Sequence, residues 1–174
     1  GLGVVGGSGG GPSPPFLFLP GSDDPAVVNR SRKKDESRQA MRRPLVAANW
    51  KMNKTVSKSD DLIKEILKNT PAVKSVTCVI FPPFLSIPSA AKLIKNTHVE
   101  LGAQNMHSDQ NGAFTGEVSG LMLQDFCSYV LLGHSERRLL FGETDEFVNE
   151  KLSAAINCGL RPIVCVGEQS LDRQ

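Results

Sequence analysis

Polar side chains follow several short apolar segments of the chain, at the point where each segment ends. They are Asn49, Lys51, Gln104, Asn105, His134, Glu136 and Glu168. An ammonium group, amides, an imidazole and carboxylates that meet at one place suit a small anionic substrate with a carbonyl group to polarise. One such side chain by itself does not indicate a functional site. A lysine at a strand end, for example, is usually a solvated charge. The chemistry therefore depends on whether the fold brings these side chains together.

The apolar segments alternate with stretches of helical periodicity, and this alternation predicts the fold class. Five β-branched segments predict strands at residues 45–48, 76–81, 99–103, 129–132 and 163–166. The spacing between them predicts four helices, at residues 56–67, 87–94, 118–125 and 148–156. Continuously apolar strands separated by helices are typical of an α/β fold with a parallel sheet buried on both faces. Functional residues of such folds gather at the carboxyl ends of the strands.

Residues at the expected helix ends support these boundaries. We expect Ser57 or Ser59 to cap the first helix, because a side-chain oxygen there accepts a free backbone N–H. Thr144 is expected to cap the last helix, and Gly159 stands where that helix should end.

Two architectures share this pattern, an open doubly wound sheet and a (β/α)8 barrel. A doubly wound sheet that binds nucleotides usually has a glycine-rich turn after its first strand. The corresponding segment here, Asn49-Trp-Lys-Met-Asn53, contains no glycine. Periodicity by itself does not choose between the two architectures.

Composition divides the chain into a leader and a folded part. Residues 1–40 hold 8 of the 16 glycines and 5 of the 11 prolines, which leaves too little apolar surface to offset the entropy of folding. We therefore expect a disordered leader at residues 1–40 and a folded region at residues 41–174. The net charge of +2 gives no reason to expect nucleic acid or an anionic membrane as a partner. No apolar run approaches the roughly 20 residues of a membrane helix.

The cysteines and histidines lack the spacing of a metal or redox site. The four cysteines are Cys78, Cys127, Cys158 and Cys165, and no two of them form a C-x2-C pair. We expect no metal, and we expect reduced thiols in a cytoplasmic protein. Organellar targeting by the leader stays open, because its arginines and serines favour it and its acidic residues argue against it.

Six motifs occur in an order and spacing that one protein family uses. They are Asn49-Trp-Lys-Met-Asn53, Gly102-Ala-Gln-Asn105, Gly112-Ala-Phe-Thr-Gly-Glu117, Leu132-Gly-His-Ser-Glu-Arg-Arg138, Phe141-Gly-Glu143 and Cys165-Val-Gly-Glu168. On these motifs the sequence resembles the triosephosphate isomerase family over about residues 42–174. The resemblance implies a (β/α)8 TIM barrel, of which the sequence holds about five strands and four helices.

The resemblance also implies a reaction and roles for individual residues. The family interconverts dihydroxyacetone phosphate and D-glyceraldehyde 3-phosphate by proton transfer through an enediolate, in glycolysis and gluconeogenesis. His134 would be the electrophile that polarises the carbonyl, and Lys51 and Asn49 would bind the phosphate and the developing oxyanion. Glu136 would be a partner of Lys51 behind the substrate. No cofactor is expected, because the substrate's own carbonyl is the electron sink.

The resemblance implies a homodimer and also an incomplete site. In the family, the residue matching Thr115, on the loop at residues 106–117, reaches the active site of a second subunit. The family's general base is a glutamate within a Tyr-Glu-Pro-Val-Trp segment after strand six, and the sequence contains no such segment. Two interpretations stay open: a fragment of a triosephosphate isomerase, or a catalytically inactive half-barrel that acts as a binding or interaction module. The 174-residue chain alone is expected to be inactive.

Overall fold

The computed structural model describes residues 43–73 and 75–167, which form five strands and five α-helices. The strands are β1 (Leu45–Asn49), β2 (Thr77–Phe81), β3 (Val99–Ala103), β4 (Tyr129–Leu132) and β5 (Arg161–Val164). The helices are α1 (Val56–Asn69), α2 (Ile87–Ile94), α3 (Gly120–Leu123), α4 (Ser135–Phe141) and α5 (Asp145–Asn157). None of the described helices is long and apolar enough to cross a membrane. The expected leader at residues 1–40, and Glu168, lie outside the described residues.

The order of the strands decides the architecture. All neighbouring strands are parallel, and they lie in the order β1-β2-β3-β4-β5. A chain that adds each new strand on the same side, through crossovers of one hand, places its helices on one face of the sheet. A doubly wound sheet instead reverses its direction of growth. The observed order therefore selects the barrel, and the predicted α/β barrel class is confirmed.

The two faces of the sheet carry separate apolar clusters. On the outer face, strand residues such as Ile80 and Val130 pack against the helices, which contribute Ile63, Ala90 and Ala155. The inner face carries Val79, Phe81, Tyr129 and Leu131, with Ile163 and Cys165 packed against them. This division follows from the alternation of side chains along each strand. Burial on both faces explains why the strands are continuously apolar in sequence.

Gly102 on β3 allows the sheet to curl inward. A β-carbon at this position would lie 2.1 Å from a ring carbon of Phe81, so only glycine fits. The Phe81 ring therefore lies across β3 and joins the same inner cluster as Tyr129 and Leu131 of β4. Packing between side chains of β2 and β4 across the intervening strand requires a concave inner face.

Two predictions about the elements need correction. β5 begins at Arg161 rather than at residue 163, and it ends at Val164. Arg161 and Cys165 donate their backbone N–H groups towards β4. Pro162 has no N–H, but it lies between these donors at a position that does not have to donate to β4. The strand therefore tolerates a proline there. The described residues contain five α-helices rather than four, because the short α4 follows β4 without an apolar stripe of its own.

The ends of α5 follow the expected chemistry. The Thr144 hydroxyl caps the helix by accepting the backbone N–H of Phe147 at 3.2 Å. Asp145 and Glu146 occupy the first turn, where a carboxylate is favoured by the helix dipole. Gly159 follows the helix with a φ of 75°, the left-handed conformation that ends helices.

The predicted caps of α1 were wrong. The helix begins one residue after Thr55, whose hydroxyl accepts the backbone N–H of Lys58 at 3.5 Å. Ser57 and Ser59 both lie inside the helix. Ser59 is buried there and accepts a hydrogen bond from the hydroxyl of Ser86 at 3.0 Å. A serine near a helix start can thus serve packing between helices instead of capping.

Candidate active site

The first polar segment turns sharply after β1 and is held by its own side chains. Asn49, the last residue of β1, accepts the backbone N–H of Lys51 on Oδ1 at 2.9 Å. Asn53 donates its side-chain amide to the carbonyl of Trp50 at 2.8 Å. Lys51 itself has a φ of 53°, a left-handed conformation that costs a non-glycine residue about 1–2 kcal/mol. Such strain persists only where the surrounding contacts enforce it.

Gln104 supplies a second constraint on the Lys51 backbone. Its Nε2 atom donates to the carbonyl oxygen of Lys51 at 2.9 Å and to that of Phe81 at 2.8 Å. One side chain therefore ties the loop after β1 to the end of β2. With Asn49 on its N–H and Gln104 on its carbonyl, the Lys51 backbone is held on both sides. Gln104 was predicted only as a polar residue after β3, with no role of its own.

The Lys51 ammonium group meets Glu136 at the carboxyl end of the sheet. Its Nζ atom lies 2.5 Å from Oε1 of Glu136, and the two side chains are 51% and 46% exposed. The hydrogen bond from Lys51 is the main reason that the pKa of the Glu136 carboxyl lies below its usual range, and the charge of Lys51 lowers it further. Glu136 is therefore charged at neutral pH and orients the ammonium group.

His134 caps α4 with its own ring. Its Nδ1 atom accepts the backbone N–H of Glu136 at 3.2 Å. A ring nitrogen that accepts an N–H carries no proton, so the proton of the neutral ring belongs on Nε2. Glu136 thus contacts both groups. Its backbone N–H donates to the His134 ring, whose Nδ1 atom also lies 3.5 Å from Oε2 of the Glu136 carboxylate, and its Oε1 atom accepts from Lys51. The structure brings an N–H donor and an ammonium group together at the ends of β4 and β1.

Arg138 locks the turn that presents His134. Its Nε atom donates to the carbonyl of Gly133 at 2.8 Å, and its guanidinium group pairs with Asp145 at 2.6 Å. Gly133 has a φ of 66°, and a β-carbon there would lie 2.9 Å from Arg138 and 3.0 Å from Val148. Both the backbone conformation and the space therefore require glycine immediately before His134.

A buried charged cluster lies next to α4. Nζ of Lys151 donates to Glu143 at 2.6 Å and to Asn105 at 3.0 Å, and the Lys151 and Glu143 side chains are only 2% and 3% exposed. Arg137 of α4 donates to the same Glu143 oxygen at 2.5 Å. Burial by itself would raise the pKa of the Glu143 carboxyl, but hydrogen bonds from Lys151 and Arg137 outweigh it and hold that pKa below its usual range. The cluster ties α4 to the residue Asn105, which follows β3.

Sequence reasoning missed this cluster, although α5 carried a signal for it. Val148 and Ala155 face the core as predicted, whereas Ile156 of the same predicted stripe is 60% exposed. Lys151 lies three residues after Val148, on the buried side of the helix. A lysine at such a position needs a buried anion. Glu143, in the Phe141-Gly-Glu143 motif, supplies that anion.

Thr115 lies apart from these contacts. It is exposed on the loop at residues 106–117, in which Gly112 and Gly116 have φ values of 147° and 92°, as turn glycines do. The ring of Phe114 packs 4.1 Å from that of His107 at the base of the loop. The described contacts join the other four predicted site residues, Asn49, Lys51, His134 and Glu136, but not Thr115.

Cys165 lies at the end of β5 as a packed thiol. Its backbone N–H donates to the carbonyl of Leu132 at 2.8 Å, and its side chain packs against the inner cluster. Burial raises the pKa of the Cys165 thiol, and the charge of Arg138 opposes this only in part. A protonated thiol is a poor nucleophile, so packing is the role that fits it.

The fold and the site together define the class of protein: the five described parallel strands form part of a (β/α)8 barrel, with polar side chains at their carboxyl ends. A profile of the family described as "Triosephosphate isomerase" matches residues 44–174. The chain belongs to the triosephosphate isomerase family, and the resemblance drawn from the six motifs is confirmed.

Relatives named triosephosphate isomerase extend this result. Those of Dictyoglomus thermophilum and Aquifex aeolicus are 49% identical over 135 residues and 50% identical over 133 residues. That of Chloroflexus aurantiacus is 49% identical over 134 residues. The matched regions cover 77%, 76% and 76% of this chain and 54% of each relative. The chain therefore spans about half the length of the curated relatives that it matches.

Proposed function

We propose that this chain carries the electrophilic half of a triosephosphate isomerase active site. The reaction interconverts dihydroxyacetone phosphate and D-glyceraldehyde 3-phosphate by proton transfer through an enediolate. The observation that carries the proposal is the meeting of Lys51, Glu136 and His134 at the carboxyl ends of β1 and β4. The active sites of α/β barrels lie at this end of the strands. Family membership supports the choice of a triose phosphate as substrate.

Lys51 and Asn49 bind the anionic part of the substrate in this proposal. A fixed ammonium group stabilises negative charge on the phosphate and on the enediolate oxygen, and it is most effective when it is oriented before the reaction. Glu136 holds the ammonium group, and Gln104 holds the Lys51 backbone. Oδ1 of Asn49 accepts the Lys51 N–H, so Nδ2 of Asn49 is the atom that donates to the ligand.

His134 polarises the substrate carbonyl as a neutral imidazole. A neutral ring is the established chemistry of this histidine in the family. The hydrogen bond from the Glu136 N–H to Nδ1 supports it here, because it leaves the proton on Nε2. An N–H donor stabilises the carbonyl oxygen as negative charge develops on it. Glu136 acts through Lys51 and His134 and does not itself contact the substrate.

The transferred proton needs a base, which we place outside this sequence. The matched regions cover 54% of the relatives, so nearly half of each relative lies beyond the match and has room for the general-base glutamate. No cofactor is proposed, because the substrate carbonyl delocalises the charge left by the departing proton. The 174-residue chain by itself is expected to have no measurable isomerase activity.

A chimaeric barrel tests the proposed function. Residues 43–174 are joined to the unmatched part of the Aquifex aeolicus relative, and isomerase activity is measured in a coupled assay. We expect activity, and a loss of about 100-fold or more in His134→Ala. His98→Ala serves as the matched control, since His98 precedes β3 at the opposite end of the sheet. A chimaera that is folded by circular dichroism but inactive contradicts the proposal.

The proposal includes a homodimer formed through the loop at residues 106–117. Thr115 is exposed near the tip of this loop, next to the partly exposed Phe114 ring. Sedimentation of the chimaera measures the assembly, and Thr115→Arg is expected to shift it towards monomer. Ser153→Arg, at an exposed position of α5, is the control and is expected to leave the assembly unchanged. A monomeric parent chimaera contradicts a dimer.

For the chain by itself we expect poor solubility and a cytoplasmic location. Among the described strands, β1 and β5 each pair with one neighbour, and unpaired strand edges invite association with other chains. The cysteines Cys78, Cys127, Cys158 and Cys165 are free, as is usual in a reducing compartment. Centrifugation of an expressed sample tests solubility, and cell fractionation of the native protein tests location.

A further inference from the structure

Three side chains from three strands meet on the inner face of the sheet, at the amino ends of the strands. The guanidinium carbon of Arg161, on β5, lies 4.1 Å from the centroid of the Tyr129 ring, on β4. The same guanidinium group forms an ion pair with the carboxylate of Glu100, on β3. All three residues lie at the opposite end of the strands from Lys51 and His134, so they take no part in the proposed reaction.

The ion pair joins strands that are not neighbours. β4 lies between β3 and β5, so two strand spacings, about 9.5 Å, separate the backbones of the two charged residues. The register sets Tyr129 opposite Arg161, and it sets Gly102, two residues after Glu100, opposite Tyr129. Glu100 and Arg161 therefore reach each other diagonally over the tyrosine ring.

Contact of this kind depends on the curvature of the sheet. Side-chain tips from β3 and β5 converge on a concave face and stay apart on a flat or convex one. In (β/α)8 barrels the inward side chains stack in layers drawn from alternate strands, and those layers are mostly apolar. β3 and β5 belong to one such alternate set, yet they contribute a charged pair. The other inner-face residues nearby, Val79, Leu131 and Ile163, are apolar.

We propose that Glu100, Tyr129 and Arg161 form a clasp that holds the inward curl of the sheet at the amino ends of β3, β4 and β5. The guanidinium group is held twice, by a charge-assisted hydrogen bond and by the π face of the ring, which restricts its conformations. The ring in turn fills the space below the ion pair.

Tyr129 reports on the clasp because it is the single tyrosine of the chain. Burial is the first cause that raises the pKa of Tyr129 above its usual value, the Glu100 charge raises it further, and the Arg161 charge opposes the rise. These two charged groups face the ring from the strands on either side of β4. Removal of the Glu100 charge is expected to lower the pKa of Tyr129, and removal of the Arg161 charge is expected to raise it.

The first experiment is a near-ultraviolet absorbance titration of the dilute 174-residue chain and of its Glu100→Gln and Arg161→Gln variants. The clasp predicts shifts of opposite sign in the two variants. Asp61→Asn is the matched control, because it removes a carboxylate from an exposed pair with Lys64 on α1, and it is expected to leave the titration unchanged. Shifts of the same sign, or no shift in either variant, overturn the clasp.

A double-mutant cycle tests the coupling at neutral pH. Unfolding by urea is followed through the fluorescence of Trp50, the single tryptophan. We expect the Glu100→Gln and Arg161→Gln effects to be non-additive by about two- to fivefold in the unfolding equilibrium constant. The cycle on Asp61 and Lys64 is expected to be nearly additive. Arg161→Lys, which keeps the charge and loses the planar fork, replaces Arg161→Gln if that variant does not fold. Additive effects at Glu100 and Arg161 overturn the proposal.

Discussion

The ammonium group of Lys51 lies 2.5 Å from the carboxylate of Glu136, although 85 residues separate the two in sequence. The backbone N–H of the same Glu136 donates to the ring of His134. Glu136 therefore holds both groups and fixes the position of the ammonium group relative to the imidazole. Lys51 follows β1 and His134 follows β4, and β2 and β3 lie between these two strands in the sheet. The position of the ammonium group relative to the imidazole therefore depends on how the sheet curves.

Glu136→Gln in the chimaera is expected to lower kcat, but by less than Lys51→Met, for which we expect a loss of about 100-fold or more. The glutamine keeps a hydrogen bond and loses the charge that orients the ammonium group. The pKa of Glu136 is lowered, so the ion pair is complete above the ordinary carboxyl pKa and is lost as pH falls through the lowered value. Steady-state kinetics against pH check both points. Equal losses in the two variants contradict an indirect role for Glu136.

Lys51→Gly is expected to be more stable than Lys51→Ala by about 1–2 kcal/mol, because glycine adopts the left-handed conformation without strain. Urea unfolding of the two variants measures the difference. Lys64, in the middle of α1, supplies the opposite control. There the glycine variant is expected to be less stable than the alanine variant by about 1 kcal/mol. If the Lys51→Ala variant is as stable as the Lys51→Gly variant, the backbone at position 51 is not strained.

Gln104→Ala is expected to destabilise the fold by about 0.5–1.5 kcal/mol, because two backbone carbonyl groups, one exposed and one partly buried, lose their donor. Loss of the two Gln104 hydrogen bonds also lets the strained backbone of Lys51 relax, and this relaxation reduces the net cost in stability. The cost of Gln104→Ala is therefore expected to be larger in a Lys51→Gly background, where no strain remains to be released. Urea unfolding of the four chains in this cycle is the measurement. Strict additivity is the contrary outcome.

Glu143→Gln is expected to destabilise the chain by about 3–5 kcal/mol, because it leaves the buried Lys151 ammonium group without its carboxylate. Adding Lys151→Met is expected to recover part of the loss. The pKa of Glu143 is lowered, so its contribution is complete above the ordinary carboxyl pKa and disappears as pH falls through the lowered one. Unfolding measured at several acidic pH values is expected to show a weaker pH dependence in Glu143→Gln than in the parent.

Cys127 is expected to resist thiol reagents in the folded chain near neutral pH. Burial raises the pKa of its thiol to about 12, so almost no reactive thiolate forms. Cys78 and Cys158 are only half-buried and are expected to react first. Mass spectrometry of labelled peptides, with and without urea, identifies which thiols are protected. Rapid labelling of Cys127 without urea contradicts its burial.

Local sequence patterns predicted most element positions. The apolar segments at residues 99–103 and 129–132 match β3 and β4 residue for residue, because an apolar run bounded by polar residues is a local property. β5 was misplaced by two residues because Arg161 and Pro162 look like a turn in isolation. The cap of α1 was misplaced because several hydroxyl residues stand near its start, and packing against Ser86 decided the position of Ser59.

The sequence by itself determined the family, the parallel α/β class and the residue types at the strand ends. All of these depend on the identity and spacing of residues close together in the chain. Only the tertiary structure decided the order of the strands, the contact of Lys51 with Glu136, the left-handed backbone of Lys51 and the burial of Lys151 against Glu143. Most of these features are contacts between residues that are remote from one another in sequence. The backbone of Lys51 is likewise held in place by a remote residue, Gln104. They depend on the pairing and curvature of the whole sheet, which no local pattern specifies.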